Sequence, residues 1–165
     1  MARIPKHKQF LGLVVWFVVT FIAAGVGSAA SINAKEFYMQ LLRPEWAPPP
    51  SIFGPVWTVL YALMGVAAWL VWRVEGFHVA RIALTLFLIQ LAINSLWSWL
   101  FFGWQLGALA FADILFLWVL IVATLFTFWR IRPLAGALLT PYLVWVSFAS
   151  VLNYTIWKLN PELMG

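Results

Sequence analysis

Four side chains in the middle of the sequence could together hold a flat, partly polar ligand. Gln90, Asn94, Trp97 and Phe101 are spaced four, three and four residues apart, which places them on one face of a helix. The two amides could hydrogen-bond such a ligand, and the two rings could stack on it. A structural interpretation fits the same spacing equally well. In it, the amides hydrogen-bond to neighbouring helices and the rings pack between helices.

Two further segments carry large side chains at helical spacing. Ordinary helix packing is the favoured interpretation of the first, which consists of Phe53, Trp57, Tyr61, Met64 and Ala68. In the second, Trp145, Ala149 and Leu152 share a face, and the small Ala149 leaves space beneath the indole. Leu152, Tyr154 and Lys158 also match a loose sterol-contact pattern. An interfacial tyrosine beside a snorkelling lysine accounts for that pattern better.

Asp113 is an acidic residue deep in an apolar segment. A carboxylate is costly in hydrocarbon, so a proton-relay or substrate-contacting role is one interpretation. Its position near the start of a span favours a structural role, in which the carboxylate complements the helix dipole and reaches neighbouring backbone or amide groups. No catalytic constellation accompanies it, because His7 and His78 lie in loops away from any acid cluster. The sequence also has no phosphate-loop or metal-ligand motif.

The composition indicates that these residues are positioned by membrane helices. Of 165 residues, 65% are hydrophobic and only 9% are charged, whereas soluble domains carry about a quarter charged residues. The net charge of +5 comes from scattered residues and not from a basic run, which argues against nucleic-acid binding. The absence of cysteine excludes disulfides and thiolate chemistry.

Apolar segments divide the chain into five predicted spans. A spanning helix needs about 20 residues, and the predicted spans are residues 10–30, 51–72, 82–102, 108–129 and 134–157. The first of them, after a basic start and before a small-residue end, also fits a secretory signal peptide, although its length favours a span. We therefore predict an all-α integral membrane protein, with one domain over residues 1–165.

The longest polar connection, residues 31–50, is named the capping loop. Its apolar residues recur at helical spacing, which predicts a short amphipathic helix lying over the membrane surface. Its end is stiff, because Pro48, Pro49 and Pro50 fix their own φ angles and restrict the residues before them. This segment suits the entrance of a binding site. A rigid turn, with Trp46 and Trp57 as interfacial anchors, is the alternative.

Lysine and arginine residues are unequally shared between the two ends of the predicted bundle. One end has seven: Arg3, Lys6, Lys8, Arg73, Arg81, Arg130 and Arg132. The other end has three: Lys35, Arg43 and Lys158. The positive-inside rule therefore predicts a cytoplasmic N-terminus and a capping loop outside.

Several motifs taken together carry a family resemblance. They are Arg43-Pro-Glu-Trp46-Ala-Pro-Pro49, Phe53-Gly-Pro55-Val-Trp57, Leu60-Tyr61-x-x-Met64-Gly65, Gln90-x-x-x-Asn94-x-x-Trp97-Ser98, Phe101-Phe102-Gly103, Asp113, and Pro141-Tyr142-x-x-Trp145 with Phe148-Ala149 and Leu152-Asn153. In these motifs the chain resembles the translocator protein family. This family comprises the tryptophan-rich sensory proteins of bacteria and the mitochondrial peripheral benzodiazepine receptor.

The resemblance implies a bundle of five transmembrane helices around a ligand pocket that the capping loop closes, usually in a homodimer. Family members bind porphyrins and related tetrapyrroles, cholesterol in mitochondrial forms, and synthetic isoquinoline or benzodiazepine-type ligands. A porphyrin, such as protoporphyrin IX or a haem-related tetrapyrrole, is therefore the expected ligand. No further cofactor, metal or nucleic acid is expected, and the partners are this ligand, sterol, membrane lipid and a second copy.

The resemblance also assigns residues to the pocket. Trp57 and Asn94 match the family's polar contacts to ligand. The aromatic and small-residue walls match Tyr38, Pro48, Tyr61, Trp97, Trp145 and Ala149. Trp57 and Trp145 also match two tryptophans implicated in light-dependent porphyrin breakdown in some bacterial members. Leu152, Tyr154 and Lys158 correspond to the sterol-contact segment of mitochondrial forms, but sterol transport is not inferred because little of the chain follows them.

The expected function is that of a membrane receptor or sensor that binds a hydrophobic tetrapyrrole and regulates its handling or removal. One alternative is a light-dependent porphyrin-degrading enzyme that uses Trp57 and Trp145. The other is a transporter of porphyrin or another small molecule. Transporters commonly have internal repeats and helices broken at mid-membrane. The sequence shows no repeat, and Pro141 is its only candidate break.

Overall fold

Five long helices build the protein. The structure is a computed structural model, and it describes residues 4–165 except for the side chain of Glu75. The long helices are α1 (Lys6–Ala30), α3 (Phe53–Val79), α4 (Arg81–Ser98), α5 (Gly107–Ile131) and α6 (Pro133–Leu159). Two short helices, α2 (Ala34–Gln40) and α7 (Pro161–Met164), lie at the same end of the bundle. Each long helix, with the turns that extend it, is long and apolar enough to cross a membrane. The prediction of an all-α bundle of five spans is confirmed; Arg3 lies outside the described residues.

The connection predicted for residues 73–81 is mostly helical. α3 continues to Val79 and is interrupted at Gly76, whose φ of 69° and ψ of 175° are not helical. A positive φ of this kind favours glycine, which has no Cβ to clash with the backbone. α4 then begins at Arg81 without a separate loop. The polar composition correctly indicated a turn between two spans, but it did not indicate that α3 extends to Val79.

The other two connections between long helices are short. A π-helical turn, Trp99–Gly103, extends α4, and Gln105 takes the left-handed region with a φ of 57° before α5 begins. Between α5 and α6 the chain turns at Arg132, which is extended with a φ of −149°. Pro133 then starts α6, where its missing N–H costs nothing. These tight turns make α4, α5 and α6 successive antiparallel neighbours.

α1 packs closely against α3 and α4. Gly12 lies beneath Trp72, and a Cβ built at Gly12 would clash with the Trp72 ring. Higher in the helix, Ser95 Oγ on α4 donates to the Ala23 carbonyl at 2.8 Å. Small residues allow this close approach of backbones, as is common for membrane helices. The packing favours a spanning helix over a signal peptide for this segment.

α2 packs against the ends of the long helices. Phe37, Tyr38 and Leu41 are buried, and the rings of Phe37 and Phe101 approach to 6.5 Å between centroids. The predicted short helix therefore exists, but its apolar face is covered by α3 and α4 instead of lipid. The reason is that the aromatic ends of those helices offer a packing surface that the sequence pattern cannot display.

Asn160, just beyond α6, fastens the capping loop to the bundle. Its Oδ1 accepts from the Leu42 N–H at 2.8 Å, and its Nδ2 donates to the Leu42 carbonyl at 2.9 Å. Nδ2 also donates to the Ile156 carbonyl at 2.8 Å. One amide thus satisfies both main-chain groups of Leu42, a residue that has no helical partners.

Candidate functional site

A cavity of about 600 Å³ lies at one end of the bundle, beneath the capping loop. Its walls come from α1, α3, α4 and α6, and α2 and Pro50 cover it. Seven of the eight side chains assigned to a pocket from the sequence line this cavity: Tyr38, Trp57, Tyr61, Asn94, Trp97, Trp145 and Ala149. Side chains from the three helices α3, α4 and α6 therefore line the same cavity.

Pro48 is the exception, because it is not among the residues that line this cavity. Its carbonyl instead accepts a hydrogen bond from the Tyr38 hydroxyl at 3.0 Å, while Pro50 lies on the lining. Pro48 therefore positions Tyr38, whose ring packs edge-on against Phe53 at 5.4 Å. Trp46 lies outside the cavity: it is 49% exposed, and its ring meets that of Phe148 at 5.9 Å.

Tyr38 is held neutral at the roof of the cavity. Burial raises the pKa of its hydroxyl, and the Arg43 guanidinium opposes that rise. The guanidinium carbon lies 4.9 Å from the centre of the Tyr38 ring, a distance typical of cation–π contact. A neutral hydroxyl can donate to Pro48, so the roof is closed by a hydrogen bond within the capping loop.

A buried chain of hydrogen bonds connects α3, α4 and α6 beside the cavity. Asn94 Nδ2 donates to the Tyr142 hydroxyl at 2.9 Å, and that hydroxyl donates to Gln90 Oε1 at 2.7 Å. Gln90 Nε2 reaches Met64 Sδ at 3.8 Å. Gln90 does not line the cavity, whereas Asn94 does. The two interpretations of the face that carries Gln90 and Asn94 therefore apply to different residues. Gln90 only forms hydrogen bonds between helices, whereas Asn94 forms such a bond and also lines the cavity.

Trp97 contributes a ring to the cavity, because its indole N–H is already engaged. Nε1 donates to Asn153 Oδ1 on α6 at 2.9 Å. Asn153 Nδ2 in turn reaches the Gly107 carbonyl at the start of α5, at 3.4 Å. The Trp97 ring stacks on Phe101 with centroids 5.3 Å apart. Tyr142 and Asn153 hold these residues in place. Sequence reasoning gave neither a role, although both belong to motifs noted above.

Trp145 presents the opposite case, since its N–H has no partner. Nε1 is buried and finds no hydrogen-bond acceptor among residues 4–165, although the Trp145 ring lines the cavity. An unsatisfied buried donor costs about 1–3 kcal/mol, so an acceptor would be stabilised there, but it could reach the nitrogen only if neighbouring side chains moved, because the nitrogen has almost no accessible surface. The ring itself is fixed between Phe53 at 6.0 Å and Phe148 at 5.5 Å.

The cavity opens sideways between α1 and α3. The lining residues that are themselves exposed all lie on α1, α2 or the first turns of α3: Phe21, Gly25, Ser28, Lys35, Gly54 and Thr58. A Cβ built at Gly25 or at Gly54 would meet no atom within 4 Å. We call these six residues the mouth.

Asp113 takes no part in the cavity. α5 begins at Gly107, so Asp113 lies well beyond the first turn, where the helix dipole acts most strongly. Its Oδ2 is buried and has no hydrogen-bond partner among the described residues. The interpretation that this carboxylate stabilises the helix start and bonds nearby groups is therefore not supported at that oxygen, and the structure gives no role for it.

The segment that matches a sterol-contact pattern is divided between two surfaces. Leu152 lines the cavity, whereas Tyr154 is 45% exposed and packs on Phe111 at 5.2 Å. The Lys158 ammonium lies 4.1 Å from the centre of the Trp157 ring. Tyr154 and Lys158 therefore form an aromatic and cationic contact on the outer surface. No group of three potential metal ligands occurs in residues 4–165.

Comparison with known proteins gives a consistent match over most of the chain. A sequence model described as the TspO/MBR family matches residues 14–158. The tryptophan-rich protein TspO of Chlorobaculum tepidum is 41% identical over 160 residues, which is 94% of this chain and 99% of that protein. The tryptophan-rich sensory protein of Cereibacter sphaeroides is 38% identical over 86% of this chain and 90% of that protein. The human translocator protein is 40% identical over 76% of this chain and 75% of that protein.

Proposed function

The chain belongs to the TspO/MBR family, and from this membership we propose that its cavity binds a flat hydrophobic tetrapyrrole such as protoporphyrin IX. It is a multi-pass membrane protein, and in the proposal it acts as a receptor or sensor that regulates the handling or removal of that ligand. The bacterial cell membrane, the cytoplasmic N-terminus and assembly as a homodimer are parts of the same proposal.

The observation that supports this proposal best is the cavity itself, which aromatic side chains of α3, α4 and α6 line. Ligand pockets commonly measure about 300–1,000 Å³ and combine apolar walls with a few polar groups that fix orientation. The volume of about 600 Å³ falls within that range. Rings of Trp57, Tyr61 and Trp97 line the space, and large planar rings stack well on such walls.

The test is a titration of purified protein with protoporphyrin IX in neutral detergent, followed by the porphyrin absorbance so that removal of a tryptophan does not alter the signal. Wild type should saturate with one porphyrin per cavity. Asn94→Ala and Trp145→Phe should each weaken binding by about 3- to 10-fold, the effect of about one hydrogen bond. Trp118→Phe is the matched control, because Trp118 lies on the outer surface and bonds Ser147. Equal affinity in all four proteins would contradict the proposed site.

Light-driven porphyrin breakdown is a second candidate, because Trp57 and Trp145 line the same cavity. An indole beside an excited porphyrin could give it an electron. Illumination of the complex should then produce a new absorbing species in wild type and not in Trp145→Phe at equal porphyrin occupancy. Transport has less support, since α6 continues through Pro141, the candidate break. Counterflow of labelled porphyrin in proteoliposomes would test it.

A further inference from the structure

Lys35 at the mouth has a position that the proposed function does not yet use. Among the described residues that line the cavity it is the only charged one, and the rest are apolar, aromatic, hydroxyl or amide side chains. It is exposed at the start of α2, at the end of the cavity nearest the membrane surface. Lysine places its ammonium in water while its stem covers apolar surface.

Two serines that line the cavity precede Lys35 in the chain, and the first of them belongs to the mouth. Ser28, in the last turn of α1, is exposed on the lining. Ser31 follows α1 and also lines the cavity, where its hydroxyl donates to the Gly27 carbonyl at 3.2 Å and leaves the oxygen as an acceptor. The mouth therefore offers the positive charge of Lys35 and the hydroxyl of Ser28 to a polar group of the ligand that remains near water.

The inner surface of the cavity is different. Its polar groups are neutral: the Asn94 amide is partly engaged by Tyr142, and the Trp145 N–H has no partner. A carboxylate placed there would lose its hydration without gaining a counter-charge, which is costly. An amphiphilic ligand should therefore place its apolar rings inside and its acid groups at the mouth.

We propose that Lys35 is a specificity-determining residue, whose ammonium pairs with a carboxylate of the bound ligand at the mouth and so favours acid-bearing tetrapyrroles over their neutral counterparts. This inference rests on the proposed function. A charge-assisted hydrogen bond between ammonium and carboxylate is stronger than a neutral one, but the pair is exposed and its contribution is limited by water and salt.

The experiment compares two ligands that differ only in charge: protoporphyrin IX and its dimethyl ester. Affinities of both are measured in neutral detergent for wild type and for Lys35→Gln. For each protein we take the ratio of the diacid affinity to the diester affinity. The two ligands partition differently into micelles, but this difference is the same for every protein and cancels when the ratios are compared. Lys35→Gln should lower this ratio about three- to fivefold, the size expected of one exposed ion pair, and Lys35→Arg should restore most of it.

Lys158→Gln is the matched control. Lys158 lies at the same end of the bundle but outside the cavity, over the Trp157 ring, so its removal changes the net charge equally and should leave the ratio at the wild-type value. Raising the salt concentration should reduce the wild-type ratio and leave that of Lys35→Gln nearly constant.

The outcomes are separable from those that test the proposed function. If wild type binds neither porphyrin, the proposed function fails and this inference fails with it. If wild type binds both and Lys35→Gln keeps the wild-type ratio, only the role of Lys35 is wrong. An equal fall in Lys158→Gln would also overturn it, because the effect would then come from general surface charge.

Discussion

Tyr142 on α6 donates its hydroxyl hydrogen to Gln90 Oε1 on α4 at 2.7 Å, and both side chains are almost completely buried. The same hydroxyl accepts from Asn94, so a single oxygen joins the two amides of α4. This relationship makes Tyr142 the centre of the polar contacts between α4 and α6 beside the cavity.

Tyr142→Phe should therefore destabilise the bundle. It removes two hydrogen bonds and leaves the oxygen of Gln90 and the amide of Asn94 without that partner. Hydrogen bonds between membrane helices are worth about 0.6 kcal/mol on average and at most about 1.7, so we expect a loss of about 1–2 kcal/mol in the free energy of unfolding. Reversible unfolding in mixed micelles measures it. Trp118→Phe, which loses one bond at the surface, should cost less; equal losses would contradict a central role for Tyr142.

Two glycines of α1 should respond oppositely to alanine. A Cβ at Gly12 would clash with the Trp72 ring, whereas one at Gly25 would meet nothing within 4 Å. Gly12→Ala should cost about 1–3 kcal/mol through overpacking. Gly25→Ala should be neutral or stabilise by up to about 1 kcal/mol, because alanine is the better helix former. Thermal unfolding of both variants in one detergent is the measurement, and a lower melting temperature for Gly25→Ala than for Gly12→Ala would refute the packing argument.

Asn160→Ala should loosen the capping loop. The substitution removes both hydrogen bonds to the Leu42 main chain, which at about 0.5–1.5 kcal/mol each should speed porphyrin release about 5- to 140-fold. Exchange of the Leu42 amide hydrogen should accelerate even without ligand, a readout that does not depend on the proposed function. Thr155→Val loses only a bond within α6 and is the control. Slow exchange of the Leu42 amide in Asn160→Ala would show that other contacts hold the loop.

The two ends of the bundle should face opposite sides of the membrane, as the charges predict. The described residues place Lys6, Lys8, Arg73, Arg81, Arg130 and Arg132 at one end. The other end has Lys35, Arg43 and Lys158. A phosphatase that is active only outside the cytoplasm should work when fused after Gly165, and a fluorescent protein that folds only inside should stay dark there. The reverse pattern would invert the proposed orientation and place the capping loop in the cytoplasm.

The helices could be predicted from sequence because their signal is a composition that extends over many residues. Apolar runs of sufficient length located all five spans. The end of α3 differs from the prediction, and local backbone geometry at that end, such as the positive φ of Gly76, could not be inferred from composition. α2 was found from its apolar spacing, but its position was not. Its apolar face is described equally well by lipid and by the ends of α3 and α4, and only packing distinguishes the two.

The site was predictable to the level of helix faces. Spacing identified the stripes of Asn94 and Trp145, and the family resemblance selected residues within them. At Pro48 neither source indicated the contact that the structure shows, which is the hydrogen bond from the Tyr38 hydroxyl to the main-chain carbonyl. Tyr142 and Asn153 were given no role because a hydrogen bond between helices depends on their relative rotation and depth, which no pattern within one helix specifies.

Under the proposed function, the sideways mouth would also determine which concentration of ligand sets the occupancy of the cavity. Phe21 and Gly25 on α1 face Gly54 and Thr58 on α3 across an opening in the helical wall, so a hydrophobic ligand can arrive from among the acyl chains. Occupancy then follows the mole fraction of ligand dissolved in the lipid and not its amount per volume of water. Adding empty vesicles at constant total ligand should dilute the bound form, while an affinity expressed per mole of lipid should stay constant.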